Sequence, residues 1–353
     1  MSNREYYIIG QMSGTSLDGV DLVYVKIVFD IKYNFEIIYS ETVAYSNEWQ
    51  QRLVNGFNLN RMRLKDLDHN YGLLLGKIIK QFIERNQIER VDFISSHGHT
   101  IFHKPELEYT LQIGNGREIT EVTGVKTICD FRVQDVKLGG QGAPLVPIGD
   151  KLLFSEFDYC LNLGGFANVS LDKNKEKIAF DICPTNIVLN YYIRQLGVAF
   201  DNEGKMASTG EINIDLLNEL NQLSFYKDVP PKSLGFEFIQ DTILPLIDKY
   251  SLEVKDVLRT FLEHSAIQIG EVLNTSGKCL TTGGGVFNTF LIERIKVHSE
   301  TEIYIPSKQI ADYKEALIFA FLGYLKNLNQ VNCLSSVTGA KRDHSSGIIH
   351  NPK

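Results

Sequence analysis

Twice along the chain an apolar run enters a loop of small hydrogen-bonding residues, and a second apolar run leaves it. The first instance is GQMSGTSLDGVDLVYVKI at residues 10–27, entered from the run 6–9; the second is DYCLNLGGFANVSLD at residues 158–172. Each reads as strand, loop, strand, with Gly, Ser, Thr or Asn at the tip. With 353 residues the chain is too long for one ordinary core and long enough for two domains. The repetition implies two related lobes facing one cleft, although two unrelated surface hairpins would give the same pattern.

The intervening sequence predicts a mixed α/β architecture, because Val-, Ile- and Tyr-rich runs alternate with helical periodicity. Leu67, Tyr71, Leu74, Ile78 and Phe82 recur at three- and four-residue steps and predict an amphipathic helix. VDFISSHG (91–98), TLQIGNG (110–116) and KTICDF (126–131) predict strands, and LGGQGAPLVP (138–147) a Gly-rich loop in which Pro144 starts the next helix. In the second half, KIAFD ends a strand at Asp181, and a helix covers 186–196. A long helix at 256–274, the strand KCLTTGGG (278–285), a helix from Asn288, the strand EIYIP and a last helix at 312–328 follow. The expected division is 1–130 with about 329–353 as one lobe and 131–328 as the other. DVPPKSLG (228–235) reads as the most linker-like stretch, and the tail after Ser345 as loose.

Composition removes several function classes. Hydrophobic residues make up 43% and charged residues 22%, with a formal net charge of −7. Such a chain has no general attraction for phosphate backbones or anionic lipid, so neither nucleic acid nor a membrane is expected as a partner. The N-terminus shows no apolar signal segment, and no apolar run spans a bilayer. Five cysteines without paired spacing read as reduced thiols, and the expected location is the cytoplasm.

The loops suggest a nucleotide. Gly lets backbone N–H groups approach phosphate closely, and Ser and Thr add hydroxyls. Ser13, Gly14, Thr15, Ser16 and Gly19 supply such groups around one acid, Asp18, which could hold Mg²⁺ through water. The bland alternative is an ordinary turn. TTGGG (281–285) at a strand end would admit a flat nucleoside, or be only a tight strand-to-helix connection. LGGFAN is a third loop of this kind. Asp181, beside the loops, is placed as a general base or as a cap for the helix at Asn186. SSHGHTIFH brings His97, His99 and His103 together, which reads either as substrate hydrogen bonding or as a metal site.

GQMSGTSLDGVD, SSHGHTIFHKP, LQIGNGREI, DFRVQDVKLGGQGAPLVP, NLGGFANVS, PPKSLGFEF, TTGGGVFN and EALIFAFLG resemble, in this order, the anhydro-N-acetylmuramic acid kinases, over residues 9–339. The resemblance implies the actin/hexokinase/Hsp70 ATPase fold: α/β, with two ribonuclease-H-like lobes around a nucleotide cleft. It implies an ATP-dependent phosphotransferase that converts 1,6-anhydro-N-acetylmuramic acid, ATP and water to N-acetylmuramic acid 6-phosphate in peptidoglycan recycling. ATP and Mg²⁺ are the implied cofactors, and a homodimer the implied assembly. By position, Asp181 is the implied catalytic base. Ser13, Gly14, Thr15, Ser16, Leu17, Asp18, Gly19, Val20 and Asp21, with Gly164, Gly165, Asn168, Gly283, Gly284, Gly285 and Asn288, are implied at ATP. His97, Thr100, Arg132, Asp135, Asn186 and Glu315 are implied at the sugar, with Arg132 toward its carboxylate and Asp135 toward hydroxyls. For Arg132 and Asp135 a salt bridge between lobes is the competing reading, and for Glu315 a solvated charge beside Lys314.

The chain departs from the family pattern in two places. The usual Asp-Thr-Gly-Pro-Gly-Asn reads DICPTN here, so Cys183 and Thr185 replace glycines, and His99 stands where Gln is common. A kinase of another amino sugar, a non-catalytic ATP- or sugar-binding regulator, and a histidine-based metal hydrolase are the rival functions.

Overall fold

The structure, a computed structural model, describes residues 4–14 and 17–353. The chain forms two units, Met1–Leu153 with Tyr313–Lys353, and Phe154–Asp312. The segment 131–153 and the last helix from 313 onward therefore pack with the first unit, where the sequence expectation assigned them to the second.

The first unit is built on β1 (Glu5–Met12), β2 (Gly19–Phe29), β3 (Tyr33–Ala44), β4 (Phe93–Ser96) and β7 (Thr127–Cys129). A small separate ribbon, β5 (His99–Lys104) with β6 (Tyr109–Ile113), lies between β4 and β7 in the chain. The second unit carries β8 (Tyr159–Leu163), β9 (Phe166–Lys173), β10 (Glu176–Pro184), β11 (Lys278–Thr282) and β12 (Glu302–Tyr304). The sheet orders are β3-β2-β1-β4-β7 and β10-β9-β8-β11-β12, with β13 (Ile348–His350) added at the edge beyond β7. In both, three antiparallel strands form a meander and two parallel strands follow beyond the first. This is the ribonuclease-H-like order, present twice, as in the actin/hexokinase/Hsp70 ATPases; the fold expectation is borne out by topology. No helix among the described residues is long and apolar enough to cross a membrane.

Three local expectations are corrected. The helix after the Gly-rich loop starts at Pro147, not Pro144 (Pro147–Leu153). The tail is docked: β13 pairs antiparallel with β7, Ile348 opposite Cys129. DVPPKSLG is no linker, since it lies within the second unit and hydrogen-bonds Asp181, whose N–H donates to the Lys232 carbonyl at 3.0 Å.

The last helix, Lys308–Asn327, is buried along most of its length, from Ala316 through Leu322 and at Tyr324 and Leu325. It reaches the sheet closely because the facing positions lack side chains. A Cβ on Gly10 would stand 2.3 Å from the Ala316 carbonyl oxygen, and on the neighbouring helix Pro147–Leu153 one on Gly149 would stand 2.6 Å from Ile318. Ser95, paired with Gly10 across β1 and β4, donates to the Phe319 carbonyl.

In the second unit the helices Val254–Val272 and Thr289–His298 are joined at Glu263, whose side chain is 5% exposed. Its carboxylate accepts from Arg259 and Arg294 at 2.7 Å and faces His298 Nε2 at 2.7 Å. Burial alone would push its pKa up, but the combined donors of Arg294, Arg259 and His298 outweigh it and hold the carboxyl at about 2. A carboxyl depressed in the folded state stabilises above its unfolded pKa and loses that contribution as pH falls through the folded value. Glu263→Gln is therefore expected to destabilise the second unit by roughly 3 kcal/mol near neutrality, since it leaves two half-buried guanidinium groups without their carboxylate. The deficit against the parent chain should shrink between about pH 4.5 and pH 2, as urea melts across that range would show; a constant deficit would contradict this role.

Candidate active site

In the second unit the site begins with register. Thr282 on β11 pairs with Asn162 on β8, Asn162 with Asn168 on β9, and Asn168 with Asp181 on β10. Directly opposite residues of neighbouring strands share a face. One polar row thus crosses four strands, from the Gly283–Gly285 loop at one end to Asp181 at the other. Sequence reasoning missed Asn162, although its place before the Gly pair mirrors Asn168 after it.

Asp181 is half-buried and lies three residues before the end of β10, not at the strand end. Its Oδ2 accepts the Leu234 N–H at 2.8 Å. Burial raises its pKa, and that hydrogen bond only partly opposes the rise. The helix Asn186–Ile193 has Thr185 at its N-cap, so Asp181 does not cap it.

The glycines separate by cause. Gly283 is held at φ +87°, and a Cβ there would stand 2.5 Å from Asn162 Oδ1; a Cβ on Gly285 would meet Leu163 at 2.7 Å. The fold itself explains both. Gly284 has no such φ and nothing within 4 Å of a Cβ, and Gly164 and Gly165 meet only ordinary contacts at 3.4 Å or beyond. These three are glycines that the protein does not require, and their missing side chains leave room against the backbone. Asn186 stands beside Gly285, its Nδ2 3.2 Å from where a Cβ would be. Asn288, expected at the nucleotide, instead caps the helix Thr289–His298: its Oδ1 accepts the Leu291 N–H at 3.0 Å.

In the first unit Thr15 and Ser16 lie outside the described residues. Ser13, at the end of β1, is 2% exposed, and its hydroxyl lies 2.6 Å from Tyr45 OH and 3.0 Å from His99 Nδ1. Tyr45 OH continues to Tyr71 OH at 2.5 Å, a buried chain that fixes where the loop leaves the sheet. Leu17 is held at φ +60°, Gly19 is pressed against Val43, and Val20 is a core residue that could offer a ligand only its backbone. Asp18 is exposed, and Asp21 accepts from Thr42 at 2.6 Å.

His97 Nε2 accepts from Arg132 Nε at 3.2 Å and faces Nη2 at 3.0 Å, so its proton sits on Nδ1, 3.1 Å from the Gly98 carbonyl. Burial, then the Arg132 charge, holds the His97 pKa well down, and burial alone brings His99 to about 4. With a guanidinium on its lone pair, His97 cannot bind a cation. Among the described residues the three histidines form no ligand group. Thr100 Oγ1 accepts from Gln112 at 3.3 Å.

Arg132 also donates from Nη1 to the Gly142 carbonyl at 2.8 Å. Burial pushes its pKa down to about 10, opposed chiefly by Glu315. Glu315 is accessible to solvent, yet desolvation raises its pKa, with Arg132 and Lys314 opposing and Asp21 and Asp150 adding to the rise. Lys314 is buried against Asp150 at 2.7 Å, while Glu315, the next residue, is exposed and feels the Arg132 charge. Asp135 is corrected. Fully buried, it accepts the Gly142 N–H at 2.7 Å and the Thr338 hydroxyl at 2.8 Å, with Cys333 Sγ at 3.1 Å, and offers no free oxygen to a sugar.

Comparison with known proteins decides the family. The model of the anhydro-N-acetylmuramic acid kinase family matches residues 5–352. The enzyme of that name from Pasteurella multocida is 35% identical over 378 aligned positions, covering 99% of this chain and 98% of its own. That from Vibrio cholerae is 33% identical and covers 100% of both. The chain belongs to the anhydro-N-acetylmuramic acid kinase family. Among solved structures, component A of (R)-2-hydroxyglutaryl-CoA dehydratase from Acidaminococcus fermentans is similar at 13% identity and a TM-score of 0.45, over 89% of this chain and 96% of that one.

As a member of the anhydro-N-acetylmuramic acid kinase family, the chain accommodates its departures inward. Cys183 is fully buried with Sγ toward the Ser265 carbonyl at 3.8 Å. Thr185 Oγ1 donates to the Gly164 carbonyl at 2.8 Å and its N–H to Gly165 at 2.8 Å, tying the helix start to the β8–β9 hairpin. Neither side chain is exposed to a ligand.

The glycine assignment is directly testable. Gly284→Ala is expected to leave the unfolding free energy from urea melts within ~0.5 kcal/mol and to weaken ATP binding at least ~10-fold. Gly283→Ala should lower stability first. Unaltered ATP affinity in Gly284→Ala by calorimetry would contradict a nucleotide at this loop.

Proposed function

We propose that the chain converts 1,6-anhydro-N-acetylmuramic acid, ATP and water to N-acetylmuramic acid 6-phosphate and ADP, with Asp181 as the base. The observation that carries this reading is the carboxyl of Asp181: raised by burial, anchored through one oxygen, and set in the polar row that leads to the unrequired glycine of TTGGG. A carboxylate with an upward-shifted pKa is a better proton acceptor at neutral pH than an ordinary one.

The substrate has no free O6, because O6 bridges to C1. Asp181 takes a proton from water as the water oxygen bonds to C1 and the C1–O6 bond breaks. O6 leaves with the electron pair and accepts the γ-phosphoryl group, and the proton passes from Asp181 to solvent. Catalysis is then mainly positioning and charge neutralisation. The remaining N–H groups of Arg132, fixed by His97 and Gly142, suit the lactyl carboxylate, and Glu315 accepts from hydroxyls. The row residues Asn162 and Asn168, with the backbone at Gly164, Gly165 and Gly284, suit the nucleotide. Asp18 and Asp21 are the hard oxygen donors that fit Mg²⁺, which would neutralise phosphate charge. Cytoplasmic action on a recycled cell-wall sugar and assembly as a homodimer complete the reading, and both rest on the family resemblance.

Asp181→Asn keeps shape but cannot accept a proton, so turnover is expected to fall ~10²–10⁴-fold while ATP binding persists. In the parent, kcat/KM should fall on the acid side at a pH above the ordinary carboxylate range, because the folded pKa is raised. That acid limb should vanish from the residual activity of Asp181→Asn. Turnover of Asp181→Asn within a few-fold of the parent would overturn the assignment.

A further inference from the structure

Away from the groups given chemistry above, three metal-ligating side chains of different type converge. Asp135 Oδ1 lies 3.1 Å from Cys333 Sγ and 3.6 Å from His344 Nε2, and one ligand atom from each residue lies within 4.8 Å of the others. Their exposures are 0%, 1% and 6%. Asp135 comes from the short helix Val133–Lys137, while Cys333 and His344 face each other across a β-bridge that closes the turn 333–344.

The cluster holds one buried polar atom that the fold leaves without a partner among the described residues. His344 Nδ1 lies 3.2 Å from the Arg342 carbonyl, which can only accept, so Nδ1 carries a hydrogen. Its Nε2 is buried, and no hydrogen-bond partner among the described residues reaches it. It faces a carboxylate oxygen, and a cation held between the two would satisfy both. At 3.6 Å the pair is too long for an N–H···O bond. Zinc bond lengths and tetrahedral angles place ligands roughly 3.3 Å apart for N···O and 3.5 Å for S···O, within a few tenths of an ångström of what is seen. Thiolate and imidazole select zinc over magnesium or calcium. One carboxylate, one thiolate and one neutral imidazole around Zn²⁺ sum to zero charge, as a fully buried site requires.

We propose that Asp135, Cys333 and His344 form a buried zinc site with three protein ligands. On binding, the Cys333 S–H proton leaves to solvent, the S–Zn bond forms, and Asp135 Oδ1 exchanges its thiol donor for the metal. Asp135 Oδ2 stays on the Gly142 N–H, and the Gly142 carbonyl stays on Arg132. The metal would thus tie the turn 333–344 to the loop that orients Arg132.

The test uses the full chain stripped with EDTA and titrated with Zn²⁺ or Co²⁺. Expected are one metal per chain, thiolate-to-cobalt charge-transfer absorption, a higher Tm with zinc, and protection of Cys333 from alkylation as mapped by peptide mass. Cys333→Ser, whose hydroxyl retains the bond to Asp135, and His344→Gln should each weaken metal binding ~10²-fold or more. Absence of the cobalt band, equal alkylation of Cys333 with and without zinc, or undiminished binding in both variants would overturn the site and leave an imidazolium–carboxylate pair. If the variants fail to fold, the cobalt spectrum and the alkylation pattern of the parent chain decide alone.

Discussion

The first unit is organised by the approach of its last helix to its first strand. Gly10 has no side chain, so the Ala316 carbonyl comes to where a Cβ would be, and the neighbouring Ser95 hydroxyl binds one turn further along, at Phe319. Three residues beyond Gly10 the chain leaves β1 at Ser13, and one residue before Ala316 stands Glu315. A single close contact thus fixes both the point where the chain leaves β1 and the position of Glu315. Any residue larger than Gly at position 10 would move both together, since interiors packed at this density transmit displacement.

The second unit depends on register. Between Asp181 and Cys183 the pairing of β10 with β9 shifts, so that Asp181 stays opposite Asn168 while Cys183, not Ile182, is opposite Ala167. The extra residue lets Ile182 and Cys183 both bury while Asp181 remains half-exposed in the polar row. Irregularities of this kind re-aim side chains at functional sites. The stretch 228–235 then holds the bulged strand at Asp181 N–H and Oδ2, so this Pro- and Gly-containing segment positions the Asp181 carboxyl.

Local pattern carried much of the fold into the sequence. Both glycine-tipped hairpins and the helix around Tyr71 were legible because period and loop composition are local properties. The unit boundaries were not, because the helix from 308 packs on strands three hundred residues earlier in the chain, and only close approach at Gly10, Gly149 and Gly323 reveals it. The tail looked loose because IIH is three residues long; what orders it is the open edge of β7. Within the site, Asp181 was readable from its strand and its motif. Asn162 and the internal role of Asp135 were not, since cross-strand neighbours and buried partners have no sequence spacing. The departures at Cys183 and Thr185 stand in a motif beside Asp181, and only their burial shows that they face the core.

The account rests on water opening the bridged sugar while phosphate passes to the freed oxygen. The most direct measurement is product mass after a single turnover with ATP and 1,6-anhydro-N-acetylmuramic acid in water enriched in oxygen-18, quenched before anomeric exchange. The account predicts one heavy oxygen on the anomeric carbon of the sugar 6-phosphate and none in its phosphate group. Heavy oxygen in the phosphate, or a phosphorylated sugar with no label at all, would contradict it.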